Sequence, residues 1–244
     1  MPKAAEQPVT IKVQGLKLSG VLHLPPGNPS AVIVGCHGLM ADKSSPKQVA
    51  LAGRCTDAGM AYFRFDHRGC GESEGSFEKD TTLENRVMDL MAVVRTIRGI
   101  LGKNLPVGLF GSSLGGTVCL MASSEIAPFA VVTLAAPVRS RSIRLPENSP
   151  ESLTKETLEG KIRFDIVTSL ESIDHLLVIH GSNDETVPVE NASWIYSQAN
   201  DPKALLILKN ADHRISDEIN QQRFMENAVQ WFSDCYGSRS GGQA

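Results

Sequence analysis

Three short stretches carry the residue types that acyl transfer needs. The first is Gly111-Ser112-Ser113-Leu114-Gly115-Gly116, which follows the apolar run 107–110 and precedes the helix-forming run 117–122. A serine set between glycines two positions away on either side, at a strand-to-helix turn, forms a nucleophile elbow. The turn lifts the hydroxyl clear of the chain, and the following helix aims its positive N-terminal end at the same point. Ser113, not Ser112, holds the central place. A serine at its ordinary acidity is a poor nucleophile, so a base and a carboxylate that orients it should follow.

Two later loops can supply them. His180-Gly181-Ser182-Asn183-Asp184-Glu185 follows the apolar run 176–179, and Lys209-Asn210-Ala211-Asp212-His213-Arg214 follows the run 204–208. Both fall at the C-terminal ends of strand-like runs, as the elbow does. His213 is therefore the expected base and Asp184 its partner. Glu185 and Asp212 are the nearest competitors, and each reads as a solvated loop carboxylate. Of the remaining histidines, His23 and His175 read as structural or exposed, and His180 as a hydrogen-bond partner of its own loop. His67 sits in the turn-rich stretch Asp66-His67-Arg68-Gly69-Cys70-Gly71, which Asp66 and Arg68 should brace.

His37 belongs to Cys36-His37-Gly38-Leu39-Met40, at the end of another apolar run. Gly38 permits a backbone turn there that aims an amide inward. The backbone N–H groups of Leu39 and Leu114 are the expected donors to a developing oxyanion. Cys36 and His37 make a poor cysteine–histidine pair, because neighbours on a strand point to opposite faces. Met40 and Leu39 offer small apolar walls for a substrate. Arg139 and Arg141 are candidate contacts for a substrate carboxylate or phosphate, against the plainer reading of a solvated basic face.

These loops need a scaffold that gathers strand ends along one edge. Apolar runs at 9–13, 16–24, 31–36, 60–65, 107–110, 129–135, 176–179 and 204–208 read as eight strands, the first two an antiparallel pair turning at Gly15. Several are continuously apolar, as strands covered on both faces are. Between them, Leu83, Val87, Leu90, Met91, Val94 and Ile97 fall on one helical face, with Thr81 and Glu84 as a capping box and Gly99 and Gly102 near its end. Phe224, Met225, Ala228, Val229 and Phe232 form a second face after the cap Asp217. The alternation predicts one α/β domain, a mostly parallel sheet with helices on both faces. Residues 138–173, with Pro146 and Pro150 and the arginines, read as a short cap over the sheet's C-terminal edge. Residues 237–244 read as a frayed tail.

Composition removes several alternatives. A net charge of −3 over 244 residues is no footprint for nucleic acid. A 41% hydrophobic and 21% charged balance excludes disorder. No apolar run is long enough to span a membrane or serve as a signal peptide. The five cysteines include no CxxC pair, which points to free thiols in a reducing cytosol. No metal, cofactor, nucleic acid or membrane partner is expected, only a small-molecule ester and a monomer or homodimer.

With these motifs in order, from His37-Gly38 through Asp66-x-Arg68-Gly69-x-Gly71-x-Ser73, Gly111-x-Ser113-x-Gly115, His180-Gly181-x-x-Asp184-x-x-Val187-Pro188 and Asp212-His213, the chain resembles the α/β-hydrolase superfamily. Within it the chain is most similar to the small-lidded esterases and the serine-aminopeptidase- or dienelactone-hydrolase-like branch. The resemblance implies acyl transfer to water through an acyl-enzyme. Amide or thioester hydrolysis by the same triad, or ligand binding without catalysis, are the alternatives.

Overall fold

The computed structural model describes residues 4–144, 160 and 162–241. Eight strands form one sheet: β1 (Ala5–Val13), β2 (Leu16–Leu24), β3 (Val32–Cys36), β4 (Ala61–Phe65), β5 (Val107–Ser112), β6 (Val131–Leu134), β7 (Leu176–Gly181) and β8 (Lys203–Leu208). Their spatial order is β1-β2-β4-β3-β5-β6-β7-β8. β2 runs antiparallel to both β1 and β4, and every other pairing is parallel. β3, β4 and β7 are buried at every position, because helices cover both faces of the sheet.

The helices are α1 (Pro46–Asp57), α2 (Phe77–Asp80), α3 (Leu83–Leu101), α4 (Leu114–Ile126), α5 (Glu190–Gln198) and α6 (Glu218–Gly241). Leu90, Val93 and Ile97 of α3, Val118 of α4 and Ile195 of α5 pack on one face of the sheet. Leu51 and Cys55 of α1 pack on the other with Phe224, Ala228 and Phe232 of α6. All five cysteines are free and buried.

The chain reverses its winding between β3 and β5, and in open α/β sheets the crevice at such a switch is where ligands bind. The ends of those two strands carry Gly38 and Ser113.

Three local expectations are corrected. The N-cap of α3 is Thr82, whose hydroxyl accepts from the Asn85 N–H at 3.1 Å, not Thr81. Thr81 instead closes α2, its N–H donating to the Phe77 carbonyl at 3.3 Å. The inner face of α3 is also turned: Arg86 and Asp89 are buried, while Val87 and Met91 are only partly so. Finally, α6 continues through the glycine and serine stretch to Gly241, with Ser238 Oγ donating to the Asp234 carbonyl at 2.9 Å. Asp217 does cap that helix, accepting from the Asn220 N–H at 2.8 Å. In the expected cap, 3₁₀ turns occupy Ser140–Ser142 and Val167–Ser172, and Pro146 and Pro150 lie outside the described residues.

Candidate active site

Ser113 stands between β5 and α4 with φ of 53° and ψ of −126°, a left-handed conformation that a non-glycine residue adopts only when its surroundings impose it. The surroundings are visible. Its N–H donates to the Leu134 carbonyl at 2.8 Å, continuing the β5–β6 ladder past the turn. A Cβ on Gly111 would lie 2.3 Å from the Gly115 carbonyl oxygen. One on Gly115 would lie 2.3 Å from the Cys36 carbonyl oxygen. Both glycines are required because the elbow folds α4 tightly back onto β5 and against the end of β3.

The β7 and β8 loops are stitched together. The Ser182 N–H donates to the Leu208 carbonyl at 2.9 Å, and the Asn183 N–H to the Ala211 carbonyl at 3.0 Å. This brings Asp184 and His213 into contact: His213 Nδ1 is 2.8 Å from Asp184 Oδ2, and His213 Nε2 is 3.1 Å from Ser113 Oγ. A carboxylate on Nδ1 fixes the proton there, so Nε2 faces the serine hydroxyl as an acceptor. Asp184 is held further by the Thr186 and Val187 amides, which donate to Oδ1 at 2.9 and 2.7 Å. Burial favours its neutral acid, but hydrogen bonds from His180, His213 and Val187 outweigh that and hold the carboxyl well below the usual carboxylate range.

The competitors are engaged elsewhere. Asp212 accepts from the Ser216 N–H and hydroxyl at 2.7 and 2.6 Å, and Glu185 is exposed. His23 accepts from Arg64 Nε at 2.7 Å. His175 pairs with Asp174 at 2.9 Å. His180 Nε2 lies 2.8 Å from the Val187 carbonyl, within the loop as expected, and also 3.1 Å from Asp184 Oδ2. That second contact was not anticipated. The four-residue spacing at a strand end was its signal in the sequence.

Gly38 abuts the nucleophile: a Cβ there would lie 3.3 Å from Ser113 Cβ and 3.9 Å from Oγ. The neighbouring His37 is buried, and its tautomer follows from its partners. The His67 N–H, which can only donate, meets His37 Nε2 at 3.1 Å, so Nδ1 carries the proton and donates to the Gly38 carbonyl at 2.7 Å. Burial, with Arg86 and His67 close by, holds the His37 pKa well below the usual histidine range. Arg68 donates to Asp89 at 2.8 Å, and Asp66 accepts from the Lys43 and Glu72 amides at 2.6 and 2.9 Å, bracing the turn after β4.

Leu114 opens α4, where the first amides have no intrahelical acceptor. Met40 is exposed beside a half-buried Leu39. Arg139 lies over the Trp194 ring at 4.7 Å and donates to Asp165 at 2.9 Å, while Arg141 reaches the same carboxylate at 3.9 Å. Two further residues escaped sequence reading: Lys47, whose ammonium donates to the Arg214 carbonyl at 2.8 Å and ties the base loop to α1, and Arg86. Among the described residues, no group of three or more His, Cys, Asp and Glu side chains could hold a metal ion, and no helix is long and apolar enough to cross a membrane.

Comparison with known proteins places the fold. The chain is 29% identical over 245 residues to the uncharacterized protein YqkD of Bacillus subtilis, covering 90% of this chain and 76% of that one. It is 24% identical to the mitochondrial palmitoyl-protein thioesterase ABHD10 of Bos taurus, covering 78% and 69% respectively. The fold is that of the esterase PF2001 of Pyrococcus furiosus, with a TM-score of 0.80 at 20% identity over 95% of this chain and 91% of that one. The sheet, its helices and the strand order are those of an α/β-hydrolase. Residues 27–160 match the family described as serine aminopeptidase, S33 (Hydrolase_4), and the chain belongs to that hydrolase family.

Proposed function

We propose that this hydrolase cleaves carboxylic esters through an acyl-enzyme, with Ser113 as nucleophile, His213 as base and Asp184 as its orienting partner. The observation that carries the reading is the continuous line from Ser113 Oγ through His213 to Asp184, at 3.1 and 2.8 Å, ending on a serine held in a strained turn. In the first half-reaction Oγ bonds to the ester carbonyl carbon while its proton passes to His213 Nε2. The carbonyl oxygen becomes an oxyanion, for which the Leu39 and Leu114 amides are the proposed donors. Collapse breaks the bond to the alcohol oxygen, which leaves with the proton held by His213. Water then repeats the sequence on the acyl-enzyme and frees the acid.

Asp184 keeps the imidazole in the right tautomer and stabilises the imidazolium without itself taking the proton. No metal or cofactor enters these steps. The five free thiols agree with a reducing, cytosolic setting. The decisive experiment is labelling with a fluorophosphonate, which bonds covalently to an activated serine. Wild type should label and Ser113→Ala should not; an unlabelled wild type would point to a ligand-binding homologue. Thioester cleavage is the second reading, favoured by the likeness to ABHD10, because the same triad performs it. Paired oxygen and sulfur esters of one acyl group separate the two.

A further inference from the structure

Among the described residues, the largest fully buried side chain is that of a cation, Arg86 on α3, at 1% exposure. Its position is unusual in what it lacks. Asp89, three residues further along α3, spends its oxygens on Arg68, which it meets at 2.8 Å through Nε and 3.0 Å through the backbone N–H, and on His67 Nδ1 at 3.4 Å. The Arg86 guanidinium turns instead to three successive carbonyls. One terminal nitrogen faces the His37 and Gly38 oxygens at 3.4 Å each, and the other faces the Leu39 oxygen at 3.3 Å and Cys70 Sγ at 3.4 Å. Nε has no partner.

We propose that Arg86 is a positioning residue for oxyanion stabilisation: by gathering the carbonyls of residues 37–39 it sets the direction of the Leu39 amide. The inference rests on the serine-hydrolase reading above. Its geometry is elementary. A trans peptide is planar, with C=O and N–H pointing in opposite directions, so whatever holds the Gly38 oxygen also aims the Leu39 N–H. That oxygen is held by His37 Nδ1 at 2.7 Å and by Arg86, beside Ser113, whose Cβ an added Gly38 Cβ would meet at 3.3 Å. Three carbonyl dipoles brought to one side repel one another, and a cation at their negative ends offsets that repulsion. Guanidinium suits the task because its planar fork spans several acceptors, whereas an ammonium is a compact point charge.

A purely structural role predicts something different. A buried charge without a carboxylate is a poor source of stability, and apolar replacement of buried ionic groups is often neutral or stabilising. Arg86→Met should therefore separate folding from catalysis. The test measures the thermal midpoint, kcat and KM for a short-chain ester, and Ki for phenylboronic acid. That acid forms a tetrahedral adduct on the serine and places an oxygen where the oxyanion develops. Removing an oxyanion donor outright costs about 10²–10³ in kcat, so misaiming one should cost roughly 10- to 100-fold.

The expected result is that loss in kcat without a matching rise in KM, a parallel weakening of boronate binding, and a folded variant whose thermal midpoint stays above the assay temperature. Arg86→Lys should recover only part of it, and it carries the test alone if Arg86→Met does not fold. Variants that keep wild-type kcat and boronate affinity overturn the proposal, as does a loss of kcat with boronate binding untouched. A wild type that neither hydrolyses esters nor binds boronate refutes the ester-hydrolase reading and this inference together.

Discussion

Gly115→Ala sets two opposed physical effects against each other at the second residue of α4. Helix propensity favours alanine by about 1 kcal/mol in a helix interior. Packing opposes it: the added Cβ would lie 2.3 Å from the Cys36 carbonyl oxygen and 2.6 Å from that of His37. Relief to about 3.0 Å requires a movement of roughly 0.7 Å between α4 and the end of β3, and because backbone stands on both sides no rotamer can absorb it. Overpacking of this kind costs about 1–3 kcal/mol, so it should outweigh the propensity gain. The displaced atoms carry Ser113 on one side and the Leu39 amide on the other. Since a misplacement of about 1 Å can cost 10²-fold, kcat should fall between 10- and 100-fold. Urea unfolding and steady-state ester hydrolysis measure the two effects. Gly53→Ala and Gly99→Ala are the controls, being helical sites with nothing within 4 Å of the added carbon. They should gain about 0.5–1 kcal/mol and leave kcat alone. A Gly115→Ala variant as active and as stable as wild type would refute the argument that close approach, and not backbone freedom, requires this glycine.

Ser113→Ala and His213→Ala should each lower kcat by about 10⁴–10⁶, and the double variant should be scarcely worse, because the two act as one unit; additive losses in stopped assays would contradict that. Because His213 must be neutral to accept the serine proton, kcat/KM should rise with pH through a single ionisation. Asp184, held below the usual range, adds no second step above about pH 4. Its depressed value also means that its contribution to stability is complete above the ordinary carboxylate pKa and fades only as acid titrates the folded protein below it, which pH-dependent melting can check. Asp184→Asn should cost less than loss of the serine, since the imidazole is misoriented but present. Arg139 and Arg141 already share Asp165, so Arg139→Gln with Arg141→Gln should leave KM alike for neutral and carboxylate-bearing esters; a selective rise for the anionic ester, eroded by salt, would restore them as substrate contacts.

The sheet was legible because strands buried on both faces leave continuous apolar runs, as in β3 and β7, and helices leave periodic ones. Ser113, Asp184 and His213 were legible because each follows such a run, so strand ends alone bring them to one edge. What escaped was set by tertiary packing. Arg86 occupies a helix among apolar neighbours, where a charged residue reads as surface; only the carbonyls of a loop far away in sequence explain its burial. The contact of His180 with Asp184 depends on how the β7 loop curls. The start of α3 differs from the expected cap by one residue because Thr81 and Thr82 offer the same hydroxyl, and Thr81 is taken up in closing α2.

The stitching of the β7 and β8 loops has a consequence for inactivation. Acid and base ride on one small body, joined through Ser182, Asn183 and the Asn210 N–H, which donates to Ser182 Oγ at 2.8 Å. The nucleophile rides on another, anchored to β6 and α4. Among the described residues β8 is the edge strand of the sheet, and its Leu205 and Ile207 are each 37% exposed. Edge elements open at lower free energy than a sheet's centre. Under mild denaturation the last strand should therefore break these stitches and carry His213 away from Ser113, while Asp184, on the loop after the buried β7, and Ser113 in its strained turn stay in place. Activity should vanish at a urea concentration where far-UV dichroism is still native, and return on dilution without the lag of refolding a whole domain.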